Sequence, residues 1–280
     1  MRALVVLMVI LAGWALDVRA QDKDQYHLLN PTPKDLMRSL STDRPDKTES
    51  PYTVDAGHYQ LEMSFADYVY NHRNPDADDT RTETWSAAPW NIKAGLLNNV
   101  DFQWVVSPYV FERSREAATE RKKGFGDMQT RLKVNLWGND GGSSALAVMP
   151  FLKFPTNANS LGNDDMEGGV IVPLALKLPA EWSMGLMAEF DFNHNEDKSG
   201  YRTEFVKSVT VSHAIVGNLN GYFEFFSRHF SEPEMRWEGT LDAGLTYAVS
   251  ENVQLDLGVN AAVTRSADDF NPFAGMSIRY

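Results

Sequence analysis

Long stretches of this chain alternate apolar and polar residues, from Gly57 to the C-terminal Tyr280. A period of two places successive side chains on opposite faces of a β-strand. Beyond the first sixteen residues, no apolar run approaches the roughly 18 residues that a membrane-spanning helix needs. The pattern therefore predicts an all-β fold and excludes a multi-helix membrane protein.

The alternation divides into twelve segments, several of which reach the roughly 9–11 residues that a tilted strand needs to cross a bilayer. Strands of soluble proteins are usually nearer to about five or six residues. The predicted strands cover residues 58–70, 83–96, 100–112, 124–137, 144–155, 167–178, 182–193, 201–216, 219–230, 237–249, 252–264 and 271–280.

Short and long connections between these segments alternate strictly along the chain. Tight turns such as Leu97-Asn98-Asn99 and Gly217-Asn218 alternate with longer polar links such as Asn71 to Thr82 and Thr156 to Met166. Outer-membrane barrels have short periplasmic turns and long external loops, whereas a soluble barrel has no reason to sort its loops by end. We predict a transmembrane antiparallel up-and-down β-barrel of about twelve strands in the cell outer membrane.

The residues on the apolar faces support a membrane barrel. Aromatic residues lie toward strand ends, as in an interfacial girdle; they are Tyr59, Trp104, Trp182, Phe192 and Tyr280. The last of them, Tyr280, resembles the C-terminal signal of outer-membrane barrels. Alternation alone does not distinguish this barrel from a soluble one with its apolar face inside. A soluble periplasmic β-protein therefore stays open as an alternative.

The N-terminal part of the chain has a different composition. Residues 1–20 have the positive start, the apolar stretch and the small residues before Gln21 that are typical of a cleaved signal peptide. Residues 21–56 are polar and rich in proline, with one short helix possible over 34–40. We predict an N-terminal periplasmic or luminal extension over 21–56 and a barrel over 57–280.

Several short motifs, taken in their order along the chain, resemble a known family. They are the run from Ser41 to Pro51, Gly57-His58-Tyr59-Gln60-Leu61-Glu62, Gly124-Phe125-Gly126-Asp127, Lys153-Phe154-Pro155-Thr156 and Gln254-Leu255-Asp256-Leu257-Gly258. Over residues 41–280 the chain resembles the outer-membrane transporter family associated with the phenol meta-cleavage (MetA) pathway. The resemblance implies an outer-membrane barrel that passes small hydrophobic or aromatic molecules.

Composition and motif spacing argue against catalysis and against a resident cofactor. The chain has no Cys, and its net charge of −12 is opposite to that of a nucleic-acid-binding surface. Ser212 and His213 are adjacent and so point to opposite faces of a strand, which does not suit a nucleophile and its base. Two acidic loop clusters carry oxygen ligands for divalent cations but lack a calcium-loop pattern: Asp164, Asp165 and Glu167, and Asp76, Asp78 and Asp79.

Charged residues of both signs fall on the predicted inner face, where unpaired buried charge is costly. The acidic ones include Glu62, Glu83, Asp101, Glu224, Asp242 and Asp256, and the basic ones include Lys93, Arg131 and Lys133. A lumen of about twelve strands is too wide for its own side chains to fill. Residues 41–50, polar and stiffened by proline, are therefore the candidate plug.

We expect the plug to be held by charge pairs. Arg44 and Lys47 would meet luminal carboxylates such as Glu224, Asp242 or Asp256, and Asp43, Asp46 and Glu49 would meet Arg131 or Lys133. The alternative is a disordered periplasmic tether.

The sequence favours a passive transporter or channel for small molecules, with a sealed structural or surface-interaction barrel as the alternative. The expected partners are outer-membrane lipid and lipopolysaccharide, an unidentified small-molecule solute, and the barrel-assembly machinery for insertion. The basic residues around one external loop, Arg113, Arg115, Arg121, Lys122 and Lys123, would either contact lipopolysaccharide phosphates or be ordinary solvated charge.

Overall fold

A computed structural model describes residues 23–72, 74–75, 80–87, 89–115, 118–194, 200–231 and 236–280. The predicted signal peptide and the acidic cluster Asp76, Asp78 and Asp79 lie outside these residues. Among the described residues, no helix has the length and apolar character that crossing a membrane would require.

Fifteen β-strands and one short 3-10 helix make up the regular structure of the described residues. The helix is a single turn, Lys34–Leu36, shorter than the 34–40 helix that the sequence allowed. The strands are β1 (Tyr59–Asn71), β2 (Arg81–Ser86), β3 (Trp90–Leu97), β4 (Val100–Val106), β5 (Val110–Arg115), β6 (Thr119–Gly124), β7 (Met128–Trp137), β8 (Ser144–Phe154), β9 (Glu167–Lys177), β10 (Ser183–His194), β11 (Tyr201–Val216), β12 (Leu219–Phe230), β13 (Glu238–Ser250), β14 (Val253–Ala262) and β15 (Phe270–Arg279).

Twelve of the described strands close into one antiparallel barrel. The ring runs β1, β3, β4, β7 and then β8 to β15 in sequence order, and β15 returns to pair with β1 through partners such as Leu61 and Ile278. Closure removes the exposed edges that an open sheet would present to lipid. The predicted fold class, an all-β up-and-down barrel of about twelve strands, is confirmed.

The other three described strands extend part of the wall beyond the barrel ring. β2 and β5 are the external parts of the predicted strands 83–96 and 100–112. Apart from Gly124, β6 lies in residues 112–123, which the sequence pattern assigned to an external link, so this strand was not predicted. The added strands pair in the order β1, β2, β5, β6. Short breaks separate them from β3, β4 and β7. One break contains Pro108, which has no N–H to donate to a ladder.

These breaks correct one facing prediction. A bulge at Phe65 in β1 lies beside the break between β2 and β3, so the side-chain alternation shifts by one residue. Glu83 was expected in the lumen. It is instead paired opposite Tyr70 and shares the outward face with Trp85, which is 40% exposed.

Outside and inside differ sharply in polarity along the barrel wall. Leu257 is 55% exposed and Trp104 43% exposed, whereas Asp256 and Asp101 on the opposite face are 5% and 0% exposed. Exposed aromatic side chains mark both ends of the strands, with Tyr59, Trp182 and Tyr280 at the end with short turns. An apolar belt bounded by aromatic residues is the surface that a bilayer requires, and the short turns identify the periplasmic end.

Candidate functional site in the barrel lumen

The inward face of the wall is crowded with charged side chains that are shielded from solvent. Glu62 of β1, Lys93 of β3, Asp101 of β4 and Lys133 of β7 are each 2% exposed or less. Charges removed from water need partners of opposite sign and further hydrogen bonds. Many of those partners come from residues 41–54, which lie inside the barrel and which we call the luminal segment.

Asp43 sits at the centre of the most deeply buried charge cluster. Its carboxylate accepts hydrogen bonds from Lys133 Nζ over 2.7 Å and from Lys93 Nζ. Lys93 also pairs with Glu62, whose carboxylate accepts from the Asp43 backbone N–H over 3.1 Å. One aspartate of the luminal segment therefore joins two strands that are separated around the ring.

Arg44 binds the neighbouring part of the wall, formed by β14, β15 and β1. Its Nη2 lies 2.7 Å from Asp256 Oδ1 of β14, and its Nη1 donates to Ser64 Oγ of β1 over 2.7 Å. The guanidinium also lies over the Phe273 ring, 5.7 Å from its centroid. A planar fork of N–H donors suits this bidentate contact better than a lysine ammonium would.

Lys47 and Thr48 bind a third part of the wall. Glu224 of β12 accepts from the backbone N–H groups of Lys47 and Thr48 over 2.8 Å and 2.7 Å. Lys47 Nζ donates to Thr240 Oγ1 over 2.9 Å and lies 3.4 Å from Asp242 Oδ2. The Thr48 hydroxyl is 2.6 Å from Ser208 Oγ of β11.

The two remaining acidic residues of the luminal segment, Glu49 and Asp46, differ in whether they pair with a basic side chain. Glu49 accepts a hydrogen bond from Arg131 Nη1 over 2.5 Å. Asp46 was expected beside Arg131 or Lys133, but within the described residues it forms no ion pair; instead its side chain lies near Thr210 and Glu224. The chain turns at Pro45 and carries Asp46 toward β11 and β12, away from the basic side chains of β7.

In the last part of the luminal segment, backbone groups of the segment form hydrogen bonds with side chains of the wall. Asn135 Nδ2 donates to the Pro51 carbonyl over 2.9 Å, and Thr53 N–H donates to Asn139 Oδ1 over 3.1 Å. Val54 N–H donates to Asp101 Oδ2 over 3.0 Å. Together with the contacts above, these bonds connect the segment to strands on every side of the barrel.

A second charge cluster holds the base of the extension at the periplasmic end. Asp55 lies 3.1 Å from Arg38 and 3.5 Å from Arg279, and Lys23 donates to Asp140 over 2.7 Å. Burial disfavours the charged form of Asp140. Hydrogen bonds from Lys23 and Asn98, together with the charges of Arg38 and Lys23, outweigh burial and lower the pKa of Asp140 below its ordinary value.

One side of the inner wall is apolar, which the alternation pattern did not predict. Met149 of β8, Ile171 of β9, Met187 of β10 and Val206 of β11 form a cluster that is at most 5% exposed, and Phe151 and Phe226 pack against it. The signal was present in β8 and β9, whose sequences are apolar on both faces. The Glu49 N–H contacts the Met187 sulfur at 3.4 Å, so the luminal segment lies against this cluster.

Within the described part of the chain, the residues considered for catalysis or metal binding are not brought together into a site. His213 contacts the Ala180 carbonyl over 3.1 Å and the Trp182 ring at the periplasmic end. Among the described residues, no group of three or more His, Asp or Glu side chains is arranged to hold a metal ion.

Comparison with known proteins supports the same architecture. A family model described as "Putative MetA-pathway of phenol degradation" matches residues 42–280. Of the solved structures, the NanC porin aligns with a TM-score of 0.50 and 9% identity, over 78% of this chain and 98% of that one. No curated protein matches the sequence significantly.

Two further barrels resemble the chain more weakly. The β domain of the Bordetella autotransporter BrkA has a TM-score of 0.45 and 11% identity, over 80% of this chain and 98% of that one. The low-pH structure of Pseudomonas putida OprB has a TM-score of 0.39 and 10% identity, over 80% of this chain and 92% of that one.

Proposed function

This chain belongs to the MetA-pathway phenol-degradation family, and we propose that it is a gated passive conduit for small apolar or aromatic molecules across the outer membrane. The protein is a porin-like outer-membrane β-barrel. In the proposed resting state the luminal segment closes the barrel from the periplasmic side. Solute passes when the segment leaves its place.

The observation that carries the proposal is the way the luminal segment is held. Within the described residues it forms no strand with the wall, and its contacts are mainly hydrogen bonds and ion pairs such as Arg44 with Asp256 and Asp43 with Lys133. Water can replace such contacts at both partners once the segment moves, because charged groups are stable when hydrated. If the segment were held by apolar packing, water could not replace the lost contacts when the segment moved.

The solute class is inferred from the apolar cluster on the inner wall. Met149, Ile171, Met187 and Val206, with the rings of Phe151 and Phe226, give the lumen an apolar surface facing charged walls. Methionine side chains adapt to irregular apolar partners and make favourable contacts with aromatic rings. Displacing the luminal segment would uncover this surface for a small aromatic molecule such as phenol.

The sealed barrel is the competing function, and the density of polar contacts to the luminal segment favours it. Asp43 alone receives hydrogen bonds from two buried lysines. In a sealed barrel the segment would fill the lumen permanently, and the external loops would carry the function. The two functions differ in one measurable property, the conductance of the folded barrel.

We further infer partners from the outer-membrane fold. The barrel-assembly machinery would insert the chain into the outer membrane. Lipopolysaccharide would surround the external half of the wall.

Deletion of residues 41–50 tests the proposed conduit. The variant should keep the heat-modifiable gel mobility of a folded barrel and should show larger, more frequent current steps in planar bilayers than the full chain. A variant with residues 41–50 replaced by an equally long Gly-Ser linker should behave in the same way, because connectivity is retained. If both variants fold and conduct no more than the full chain, the segment is not a gate.

Phenol added to the open deletion variant tests the solute class. Binding at the apolar cluster should interrupt the ion current for resolvable times, whereas glycerol at the same concentration should not. Equal effects of both solutes would argue against an aromatic preference.

A further inference from the structure

The external wall extension carries a group of basic side chains on its outward face. The register places Tyr68 opposite Trp85 and Trp85 opposite Phe111, which form a row of outward aromatic rings. Two residues further along the strands toward the cell exterior, and on the same face, Glu83 pairs with Arg113 and Arg113 pairs with Arg121. After two more residues in the same direction, Arg81 pairs with Arg115. Lys123 lies opposite Phe111, level with the aromatic row.

This face carries five basic side chains and a single acidic one among the described residues. Glu83 accepts a hydrogen bond from Arg81 and lies 3.6 Å from Arg113 Nη1. Arg115, Arg121 and Lys123 form no ion pair within the described part of the chain. The other face of β5 and β6 holds Glu112 and Glu120 beside Lys122. The acidic residues of these strands therefore lie mainly on the inner face.

The guanidinium groups also have unused donors. The Nε atoms of Arg81, Arg113 and Arg115 are buried and lack a hydrogen-bond acceptor among the described residues. A buried donor without a partner is unfavourable and is normally satisfied by a ligand, a water or an ion. Guanidinium groups match phosphate oxygens in geometry and charge.

The depth of the basic group corresponds to lipid phosphate. At about 3.3 Å per residue and a tilt of about 45°, Arg113 and Arg115 lie roughly 5 and 10 Å beyond the Phe111 ring along the membrane normal. The head-group region is about 5–8 Å thick on each side of the hydrocarbon core. The aromatic row would mark the boundary of the core. Arg113 and its partner Arg121 would then lie among the head groups, and Arg115 would lie at their outer edge.

We propose that Arg113, Arg115 and Arg121, with Lys123 at their base, bind the phosphate groups of lipid A in the outer leaflet. The proposal rests on the outer-membrane orientation of the proposed function but does not depend on transport. The chain as a whole has a net charge of −12, so an outward face of opposite sign would attract an anionic lipid locally where the rest of the chain would not favour it. The bound lipid would anchor the wall extension, whose outer strand β6 has no partner on its far side within the described residues.

Native mass spectrometry of the full folded chain in detergent tests the site, with diphosphoryl lipid A as the probe. Dephosphorylated lipid A should bind at least about tenfold more weakly to the unmodified protein, a comparison that needs no variant. The triple variant Arg113→Gln, Arg115→Gln and Arg121→Gln should lose about tenfold or more in affinity for the diphosphoryl lipid.

A matched control removes three positive charges elsewhere. It combines Lys34→Gln, Lys122→Gln and Lys177→Gln. Lys34 lies on the extension, Lys122 on the inner face of β6 and Lys177 at the periplasmic end of β9. This control should bind lipid A as the unmodified protein does. Equal binding of phosphorylated and dephosphorylated lipid A, or an equal loss in both triple variants, would overturn the proposal. Conductance is measured separately, so failure of the lipid site leaves the conduit proposal standing, and the reverse also holds.

Discussion

Arg44 and Asp256 are separated by more than two hundred residues in sequence and form a two-point contact inside the barrel, from Nε to Oδ2 over 3.2 Å and from Nη2 to Oδ1 over 2.7 Å. The Asp256 side chain is fully shielded from solvent. This contact joins the luminal segment to β14 and, through Ser64, to β1. A charge reversal at Arg44 should therefore weaken the binding of the segment to two strands at once.

Arg44→Glu should displace the luminal segment. Breaking a buried ion pair costs about 3–5 kcal/mol, and the new carboxylate would also repel Asp256. We therefore expect the ratio of displaced to seated segment to rise by at least roughly a hundredfold, seen as a higher open probability in planar bilayers. Lys34→Glu makes the same charge change at an exposed position of the extension and should have no effect.

The reciprocal exchange provides a stricter version of this experiment. Combining Arg44→Glu with Asp256→Arg restores opposite charges and should recover most of the closed behaviour. An exchange that stays as open as Arg44→Glu alone would show that this pair does not hold the segment.

Leu257→Arg should destabilise the folded barrel by about 2–4 kcal/mol if the position lies near the bilayer midplane. Leu257 faces outward, whereas Gln254 of the same strand faces the lumen and donates to Thr42 Oγ1 over 3.2 Å. Gln254→Arg should therefore be much milder, because water and carboxylates are accessible there. Urea unfolding in phospholipid vesicles measures both, and equal losses would contradict the strand facing.

Met187→Gln, made in the deletion variant that lacks residues 41–50, should weaken current block by phenol roughly threefold to tenfold, because apolar contact is lost. Met184→Gln is the matched control, since Met184 lies on the same strand with its side chain outward. Unchanged block by phenol in Met187→Gln would remove the apolar cluster from the solute path.

The anchoring of the extension base should depend on pH through Asp140. Its pKa is lowered in the folded protein, so its stabilising contribution is fully present above the ordinary carboxyl pKa of about 4 and is lost as the pH falls through the lowered value. A spin label on a single cysteine at Asp35 should gain mobility over that range, and no native Cys interferes. Asp140→Asn should show a smaller acid-induced change, and an unchanged profile in this variant would exclude Asp140 as the titrating group.

The alternation of apolar and polar residues was sufficient to predict the barrel and, for most strands, which side chains point outward and which point into the lumen. Strands β8 and β9 lie within one residue of the predicted 144–155 and 167–178, because one unbroken ladder extends along each. Glu83 was placed on the wrong face because the bulge at Phe65 and the break after β2 shift the register by one residue. Pro108 was the visible sign of the neighbouring break.

The luminal partners were only partly accessible from the sequence. Charge complementarity suggested that Arg44 and Lys47 meet Glu224, Asp242 or Asp256, but the individual pairings depend on how the segment turns inside a closed ring. The apolar cluster around Met149 was hidden because both faces of β8 are apolar, so alternation cannot identify the inner one.

The central claim, that the luminal segment gates the barrel by moving, is tested most directly by a reversible cross-link. Thr48 Oγ1 and Ser208 Oγ are 2.6 Å apart, close to the roughly 2 Å of a disulfide, so Thr48→Cys with Ser208→Cys should bind the segment to β11 when oxidised. Ser41→Cys with Ser50→Cys is the matched control, because its disulfide closes within the segment. In planar bilayers, the oxidised Thr48–Ser208 pair should be silent and should conduct after reduction, while the control pair should conduct in both states. Equal conductance of the Thr48–Ser208 pair before and after reduction would contradict the gating account.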